Sequence, residues 1–266
     1  MQRIFLALAT AMGLGLASGA TALAADVARP AYKAPPPAPA APYSWTGFYI
    51  GIHGGGAWFD KDWFFPCSPT NAVFGPPCDV SQGGHTAGSW LAGGQIGFNY
   101  QVGQWVWGIE AQFSATRIEG SNLDVAFPAD EVLHSRTDFI GTVAVRLGYA
   151  WDRTLLYVKG GGAWVHDKYW LTAVQAPATG VTFATANETR WGWMVGAGVE
   201  YAFAQNWSVK LEYNFLDFGT ERVLFNIIPI TPNLLPFDED IEQRIHIVKV
   251  GLNYRFNWGG PVVARY

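Results

Sequence analysis

The chain has 266 residues and a formal net charge of −4, and half of its residues are hydrophobic. This balance excludes the clustered Lys and Arg of a nucleic-acid footprint. After the N-terminal segment, no apolar run reaches the ~20 residues of a transmembrane helix. Glycine (31 residues) and aromatic residues (13 Trp, 11 Tyr and 17 Phe) are both abundant. The fold must therefore use very small and very large side chains together.

Residues 1–24 predict a secretory signal peptide. Arg3 precedes an apolar run from Ile4 to about Leu16, and small residues end at Ala22-Leu23-Ala24, the order of regions in a cleavable signal. We expect cleavage between Ala24 and Ala25; a retained N-terminal anchor is the alternative.

Residues 25–45 predict a Pro/Ala-rich periplasmic linker. Proline favours extended, polyproline-like backbone, so we expect a semi-rigid spacer without a packed core. A recognition motif for a partner domain is the alternative reading. The prolines stand at positions 30, 35, 36, 37, 39 and 42.

From Trp45 onward the sequence alternates with period two, which predicts β-strands. In Ser89–Gln101, for example, Trp90, Ile96 and Phe98 share one parity and Gln95 the other. Eight such segments occur. They are the two segments containing Gly54–Trp58 and Gly160–Trp164, then Ser89–Gln101, Trp105–Thr116, Asp138–Trp151, Trp193–Phe203, Trp207–Phe215 and Ile247–Phe256.

The connections between these segments alternate between short and long. Three are tight, at Gly103-Gln104, Asp152-Arg153 and Ala204–Asn206, and four are long and polar. Outer-membrane barrels show this alternation because short turns face the periplasm and long loops face outside, whereas a soluble Greek-key sandwich gives no reason for it. We predict an all-β fold, an eight-stranded antiparallel transmembrane β-barrel over residues 46–258, with a C-terminal extension over 259–266. The long connections are Asp60–Thr86, Glu119–Ser135, Asp167–Thr189 and Gly219–Ile241.

Aromatic residues fall at the two ends of the predicted strands, as in the interfacial girdles of membrane barrels. The outer belt consists of Trp58, Trp90, Trp164 and Trp193. The periplasmic belt consists of Tyr100, Trp105, Trp107, Tyr149, Trp151, Tyr201, Phe203, Trp207, Tyr254 and Phe256.

Eight charged residues lie on the polar parity of these strands. A Lys or Arg facing lipid near mid-membrane costs roughly 2–4 kcal/mol, so this parity must point inward. An eight-stranded barrel is just wide enough for side chains to fill it, which predicts an interior charge network. Arg117 has the apolar parity and lies near the outer end, where it can snorkel. The eight residues are Glu110, Arg146, Lys159, Glu200, Lys210, Glu212, Lys249 and Arg255.

The repeated GGGAW sequence, at Gly54–Trp58 and Gly160–Trp164, raises the question of a phosphate-binding loop. Such a loop requires a following helix N-terminus and a Lys, and here the glycines continue into Phe59 or Val165. We interpret both copies as strand interiors in which glycine lets the sheet bend and makes room for large neighbours.

The two cysteines, Cys67 and Cys78, both lie in the first long connection. A signal peptide would deliver them to an oxidising compartment, and prolines and a glycine between them favour a returning turn. We predict a disulfide; free or intermolecular thiols are the alternative.

Other candidate sites are weaker. The histidines His53, His85, His134, His166 and His246 show no metal-ligand spacing. No ordered catalytic triad is visible, so we expect no metal, no cofactor and no enzyme activity; a surface hydrolase built from His134, Ser135 and the loop acids is the alternative. The acidic stretch Asp238–Glu242 predicts a solvated loop cluster, with a divalent-cation bridge to lipopolysaccharide as the alternative.

Three segments carry a family resemblance: WTGFYIG (Trp45–Gly51), the block from Gly192 to Gly219, and VKVGLNYRF (Val248–Phe256). They resemble the RopB-type proteins, the small porin-like outer-membrane immunogenic proteins of Gram-negative bacteria. The resemblance implies an eight-stranded barrel at the cell surface, with roles in envelope integrity and host contact. It also implies an aromatic residue that closes the last strand as an assembly signal, for which Phe256 and Tyr266 are the candidates.

We therefore expect a non-enzymatic outer-membrane barrel that contributes to envelope integrity and displays surface loops. A narrow porin and a loop-borne adhesin are the alternatives. Expected partners are outer-membrane lipid and lipopolysaccharide, the barrel-assembly machinery, and host or envelope partners at the loops; nucleic acid is not expected.

Overall fold

A computed structural model of the chain describes residues 43–126, 131–175, 178–228 and 235–256. These residues form eight strands and one short 3-10 helix at Asn71–Phe74. In the described part of the chain, no helix is long and apolar enough to span a bilayer. The strands are β1 (Gly47–Phe65), β2 (Val80–Val102), β3 (Trp105–Leu123), β4 (Glu131–Trp151), β5 (Thr154–Ala173), β6 (Thr182–Tyr201), β7 (Trp207–Ile227) and β8 (Phe237–Phe256).

The strands form a closed ring in chain order, and every neighbouring pair is antiparallel. Closure joins β1 to β8, from Phe48 opposite Phe256 up to Phe64 opposite Asp240. The predicted eight-stranded barrel is confirmed. At one end, short links at residues 103–104, 152–153 and 202–206 connect the strands, and Gly103 and Asp152 there adopt positive φ.

The strands are much longer than the sequence analysis predicted. The segments assigned to long polar connections are largely strand, so the connections shrink to residues 66–79, 124–130, 174–181 and 228–236. The prediction was wrong because it required apolar residues on the outer parity. In β1, the alternation of Lys61, Trp63 and Phe65 inside with Asp60 and Asp62 outside continues without a break.

The barrel has two parts, separated by a ring of outward-facing aromatic residues that includes Trp58 (β1), Trp90 (β2), Phe113 (β3), Phe139 (β4), Trp164 (β5), Trp193 (β6) and Phe215 (β7). We call the part between this ring and the short turns the lower barrel, and the part beyond it the upper barrel. From Phe48 to Trp58, the lower barrel rises about 25 Å, and from Trp58 to Phe65, the upper barrel rises about 17 Å, at about 2.5 Å per tilted residue.

The two parts have opposite polarity. The lower barrel is apolar outside, with Ile50, Ile52 and Ile96 more than half exposed, and polar inside. The upper barrel is polar outside and apolar inside, and two apolar clusters fill the barrel from just below the aromatic ring upward. The first cluster includes Phe59, Ile118 and Ile245, and the second is built from Trp63, Phe65, Leu133, Tyr169, Leu171, Ala184, Ala186, Val223, Phe225, Phe237 and Ile241.

The upper barrel opens along two seams. The β2–β3 ladder ends at Leu91 opposite Thr116, and β6 and β7 are unpaired between Thr185 and Trp193 on β6. Since the two seams lie on opposite sides of the ring, β7-β8-β1-β2 and β3-β4-β5-β6 form two four-stranded sheets that face each other across the apolar clusters.

Irregularities in β4 and the glycine triplets adjust the wall locally. A bulge near Asp138 places this residue outside, although its position in the sequence gives it the parity of Thr142 and Arg146, which are buried inside. Both GGGAW copies are strand interiors, as predicted. A Cβ on the middle glycine of either triplet would collide with a neighbouring backbone, at 2.1 Å from the Val248 oxygen for Gly55 and 2.0 Å from the Val143 oxygen for Gly161.

Candidate functional site

The interior of the lower barrel is centred on two glutamates, Glu110 on β3 and Glu212 on β7. Lys159 Nζ bridges them, at 3.1 Å from Glu110 Oε1 and 2.7 Å from Glu212 Oε1. Lys210 Nζ forms a second bridge, at 2.8 Å from Glu110 Oε2 and 3.4 Å from Glu212 Oε2. Lys249 approaches Glu212 to 3.3 Å. These five side chains are buried and satisfy one another's charges.

Arg146 on β4 extends the network toward the short turns. Its guanidinium lies 3.7 Å from Glu110 and donates to Glu200 at 2.8 Å. Two tyrosine rings flank it, with their centroids 5.7 Å (Tyr49) and 4.1 Å (Tyr157) from Arg146 Cζ. Seven of the eight predicted interior charges thus meet in one network. It contains four basic and three acidic groups, a formal net charge of +1.

Arg255, the eighth predicted charge, lies apart at the mouth beside the short turns. It is buried and its guanidinium packs 4.4 Å from the Tyr43 ring and 5.2 Å from the Trp45 ring. Trp45 is fully buried, and its backbone N–H donates to Gln101 Oε1 at 2.7 Å. Residues 43–45, which the sequence analysis placed in the linker, therefore fill this mouth of the barrel.

Two tyrosines that the sequence pattern did not reveal complete the network. Tyr49 donates to Glu110 at 2.9 Å, and Tyr157 donates to Glu212 at 2.7 Å. Both have inward parity, and each faces a glycine on the adjacent strand: a Cβ would lie 2.4 Å from Tyr49 at Gly97 and 2.6 Å from Tyr157 at Gly198. An inward tyrosine opposite an inward glycine is the signal that could have identified them.

A small polar layer is buried within the upper barrel. Lys61 Nζ lies 3.1 Å from Asp167 Oδ1 and 4.7 Å from the centroids of Phe59 and Tyr169. Burial lowers the Lys61 pKa to about 8, although Asp167 opposes this shift. Lys61 falls within the predicted long connection Asp60–Thr86, so the sequence pattern did not reveal this buried pair.

Polar side chains bridge the two seams. At the β6–β7 seam, buried Arg190 donates to the backbone oxygens of Gly219 at 3.0 Å and Ile241 at 2.7 Å. At the β2–β3 seam, His85 contacts Asn122 at 2.8 Å and, across β3, Ser135 at 2.8 Å. The Arg190 bonds satisfy backbone oxygens of β7 and β8, whereas the His85 contacts link side chains across the seam.

The acidic stretch Asp238–Glu242 lies in β8 rather than in a solvated loop, which corrects the prediction. Side chains of a strand point alternately to its two faces, so the acidic residues are divided between them. Their charge density alone had suggested a loop. Asp240 pairs outside with Arg222 at 2.8 Å. Glu239 points inward, is fully buried, and within the described residues neither of its carboxylate oxygens accepts a hydrogen bond.

Cys67 and Cys78 form a disulfide, with their Cα atoms 5.0 Å apart. The bridged connection folds back onto β8. Ser68 donates to Asp238 Oδ2 at 2.8 Å, and the Asn71 side-chain amide donates to the Asp238 backbone oxygen at 2.8 Å. The disulfide therefore holds a closed loop against the wall of the upper barrel.

The histidines are dispersed around the wall. His53 lies inside, 2.8 Å from Ser114, while His246 lies outside and stacks on Trp58 with centroids 5.5 Å apart. His85 and His134 lie in strands, although both fall at the edges of predicted long connections. The difference arises because β2 and β4 extend further than predicted. Among the described residues, no three His, Cys, Asp or Glu side chains are placed to hold a metal ion.

Aromatic residues ring both ends of the lower barrel. Of the predicted outer belt, Trp58, Trp90 and Trp193 are exposed, and Trp191 joins them at 71% exposure. Phe256 ends β8, is 43% exposed and packs edge-on against Tyr254. The predicted cleavage site at Ala24 and Ala25, the linker up to residue 42, and Tyr266 lie outside the described residues.

Comparison with known proteins agrees with this geometry. Residues 14–256 match the family model described as outer membrane protein beta-barrel domain. The chain belongs to the outer-membrane β-barrel protein family. It is 33% identical over 240 residues to the 31 kDa outer-membrane immunogenic protein of Brucella melitensis, covering 89% of this chain and 94% of that protein. The predicted resemblance and the outer-membrane location are both confirmed.

Two further proteins show how far the similarity of this outer-membrane barrel protein to known proteins extends. The 25 kDa outer-membrane immunogenic protein of Brucella abortus is 27% identical over 240 residues, covering 89% of this chain and 92% of that protein. The crystal structure of outer membrane protease OmpT from Escherichia coli aligns with a TM-score of 0.50 and 11% identity, over 79% of this chain and 97% of that one. At that identity the likeness concerns the fold alone.

Proposed function

We propose that this protein is a sealed, non-enzymatic barrel that contributes to envelope integrity and displays its upper barrel at the cell surface. The observation that carries the proposal is the filling of the interior at successive levels. Trp45 occupies the mouth at the short turns, the charge network occupies the lower barrel, and two apolar clusters fill the barrel from just below the aromatic ring upward. Short turns face the periplasm in such barrels, so the upper barrel would face outward.

The same filling argues against the narrow-porin alternative. Water-filled channels are typical of barrels with about 16–18 strands, whereas eight strands enclose little more than their own side chains. In this protein Glu110, Lys159, Lys210 and Glu212 are each at most 5% exposed. An ion would have to displace charges that are already paired in a low-dielectric interior, which is costly.

Planar-bilayer recording of the refolded full-length mature protein tests the sealing. We expect no steady single-channel current at moderate voltage, both for the wild type and for Trp45→Ala, because the charge network closes the barrel behind the mouth. A porin refolded in the same way provides the positive control. Regular unitary currents from the wild type would contradict the proposal and favour a porin.

Envelope integrity is tested in cells. Deletion of the gene should increase sensitivity to bile salts and to large antibiotics that an intact outer membrane excludes, and wild-type protein should restore resistance. If the deletion strain is as resistant as its parent while surface binding to host cells is lost, an adhesin role would replace the integrity role.

A further inference from the structure

A row of five charged side chains crosses the outer surface just above the aromatic ring, on β3, β4 and β5. We call it the charged row: Arg117, Glu119, Arg136, Asp138 and Lys168. Arg117 Nε lies 2.8 Å from Glu119, and Arg136 lies 3.6 Å from Glu119. Arg136 also pairs with Asp138, whose other oxygen is 2.7 Å from Lys168. The row is continuous across three strands.

An aromatic shelf lies directly beneath the charged row. We define the shelf by Phe113, Phe139, Trp164 and Trp191, whose neighbouring ring centroids are 5.9 Å (Phe113–Phe139), 5.6 Å (Phe113–Trp164) and 5.6 Å (Trp164–Trp191) apart. Aromatic residues of membrane barrels sit at the level of lipid headgroups. Arg117 is four residues above Phe113 on β3, about 10 Å along a tilted strand, so the row stands at or just above the headgroups.

The basic groups of the row retain donors for a further anion. Arg117 and Lys168 have side chains that are 66% and 42% exposed, and each pairs with one carboxylate. A guanidinium carries five N–H donors, and among the described residues Arg117 donates one hydrogen bond, from Nε to Glu119. Arginine suits phosphate because its donors form a planar fork.

The opposite face of the upper barrel differs in charge. On β1, β7 and β8, the outward groups above the aromatic ring include two arginines and five acids, a net of −3, whereas the charged row carries three bases and two acids, a net of +1. The opposite groups are Asp60, Asp62, Asp217, Arg222, Asp240, Glu242 and Arg244. An anionic headgroup would therefore be attracted to the β3–β5 side.

We propose that the charged row and the aromatic shelf bind the phosphorylated headgroup of an acylated glycolipid of the outer leaflet. Phosphate oxygens accept hydrogen bonds from Arg117, Arg136 and Lys168, and the sugar and the upper part of the acyl chains pack on the shelf. Glu119 and Asp138 fix the basic side chains through the ion pairs of the row. This site does not depend on whether the barrel conducts.

Binding of purified lipopolysaccharide to the refolded full-length mature protein in a zwitterionic detergent tests the site. We expect the double variant Arg117→Gln/Lys168→Gln to bind about tenfold to thirtyfold more weakly, since each basic group near an anionic lipid surface contributes a factor of about five to the affinity and two such factors multiply. Both residues are exposed, so the fold should persist, which heat-modified gel migration checks. Unchanged affinity in the folded variant would overturn the proposal.

Arg222→Gln is the matched control. Arg222 is 48% exposed and paired with Asp240, but it lies on the acidic face, at the level of Asp240 and Phe64, about 15 Å above Trp58. We expect its affinity to equal that of the wild type. Because Arg222→Gln removes one positive charge, it is compared with the single variant Arg117→Gln. An equal loss of affinity in these two variants would mean that only overall charge matters, which would overturn the assignment to this row.

Three other probes identify the source of the phosphate. Enzymatically dephosphorylated lipopolysaccharide should lose most of its affinity, and inorganic phosphate alone should not compete at millimolar concentration because it lacks the shelf contacts. Phosphatidylglycerol vesicles should bind more weakly than lipopolysaccharide. Equal binding of phosphatidylglycerol, or full binding of the dephosphorylated glycolipid, would overturn the proposed ligand.

Discussion

The lower and upper barrels are made from the same eight strands, yet they are stabilised in opposite ways. In the lower barrel, Ile50 and Ile52 face outward and Glu110 faces inward. In the upper barrel, Asp62 faces outward and Trp63 is fully buried. The surrounding solvent explains the difference, because lipid accepts apolar side chains and rejects charges, whereas water does the reverse. A change of solvent along one strand inverts the polarity of its two faces without changing the period.

The inversion also separates two kinds of stabilisation. The charge network is costly to desolvate, and it is tolerated because nearly every buried charge meets a partner of opposite sign. The upper barrel depends on apolar burial, at roughly 25 cal/mol per Å². The two parts should consequently respond differently to the same class of substitution.

Charge reversal in the lower barrel should have the largest effect. Arg146→Glu places a third carboxylate between Glu110 and Glu200, and breaking a buried ion pair alone costs about 3–5 kcal/mol. We expect the free energy of unfolding, measured by urea titration in detergent or lipid, to fall by at least that amount. Arg222→Glu, on the outer surface, should cost no more than about 1 kcal/mol. Equal losses in the two variants would refute the buried network.

Truncation in the upper barrel should come next and should act locally. Trp63→Ala removes a fully buried ring that packs 5.4 Å from Tyr169 and 6.1 Å from Phe225, at a cost of about 3–5 kcal/mol. We expect protease cleavage within the upper strands while the lower barrel keeps its heat-modified gel migration, since a domain can open in parts. Loss of both together would show that the parts unfold as one unit.

Sequence patterns predicted the lower barrel well and the upper barrel poorly. The period-two alternation predicted the number of strands, and the rule that charges avoid lipid predicted which face points inward and the interior position of Glu110, Lys159 and Glu212. The rule does not apply above Trp58, so β1 was ended at Phe59, six residues too early. The bulge at Asp138 was also invisible, because one extra residue changes the parity without changing the composition.

The charge network could be predicted as a set but not as pairs. Which lysine meets which glutamate depends on the stagger of the strands around the ring, and a single chain does not reveal it. Tyr49 and Tyr157 were missed because an aromatic residue fits either parity. Their partner glycines, Gly97 and Gly198, acquire meaning only when the register is known.

A smaller effect should appear at Glu239 in the upper barrel. Burial, followed by the nearby Glu131 and Asp124, raises its pKa well above 4.5. A raised carboxyl pKa favours folding at low pH, and this advantage is lost as the pH rises from about 4.5 through the folded-state pKa. We expect Glu239→Gln to have a higher urea midpoint of unfolding than the wild type at neutral pH. The midpoint of the variant should also change less with pH. Parallel pH profiles for the two proteins would contradict the burial of this carboxyl group.

The smallest global effect should come from the disulfide. Closing this loop removes unfolded-chain entropy worth roughly 3 kcal/mol in the polymer model, but the loop lies at the end of the upper barrel. We expect Cys67→Ser/Cys78→Ser to speed proteolysis within residues 66–79 and to leave the urea midpoint nearly unchanged. A midpoint shift as large as that of Trp63→Ala would show that the loop supports the whole upper barrel.

The most direct test of the polarity inversion is an accessibility scan along β1. Single cysteines introduced at the non-glycine positions from Phe48 to Phe65 into the Cys67→Ser/Cys78→Ser background carry a spin label in lipid bilayers, with oxygen reporting lipid contact and a nickel chelate reporting water. The fold described here requires Ile50 and Ile52 to face lipid, Asp60 and Asp62 to face water, and the odd positions from Phe59 to Trp63 to remain inaccessible to both. Uniform water access from Asp60 onward, without a period of two, would show a flexible loop and contradict the upper barrel.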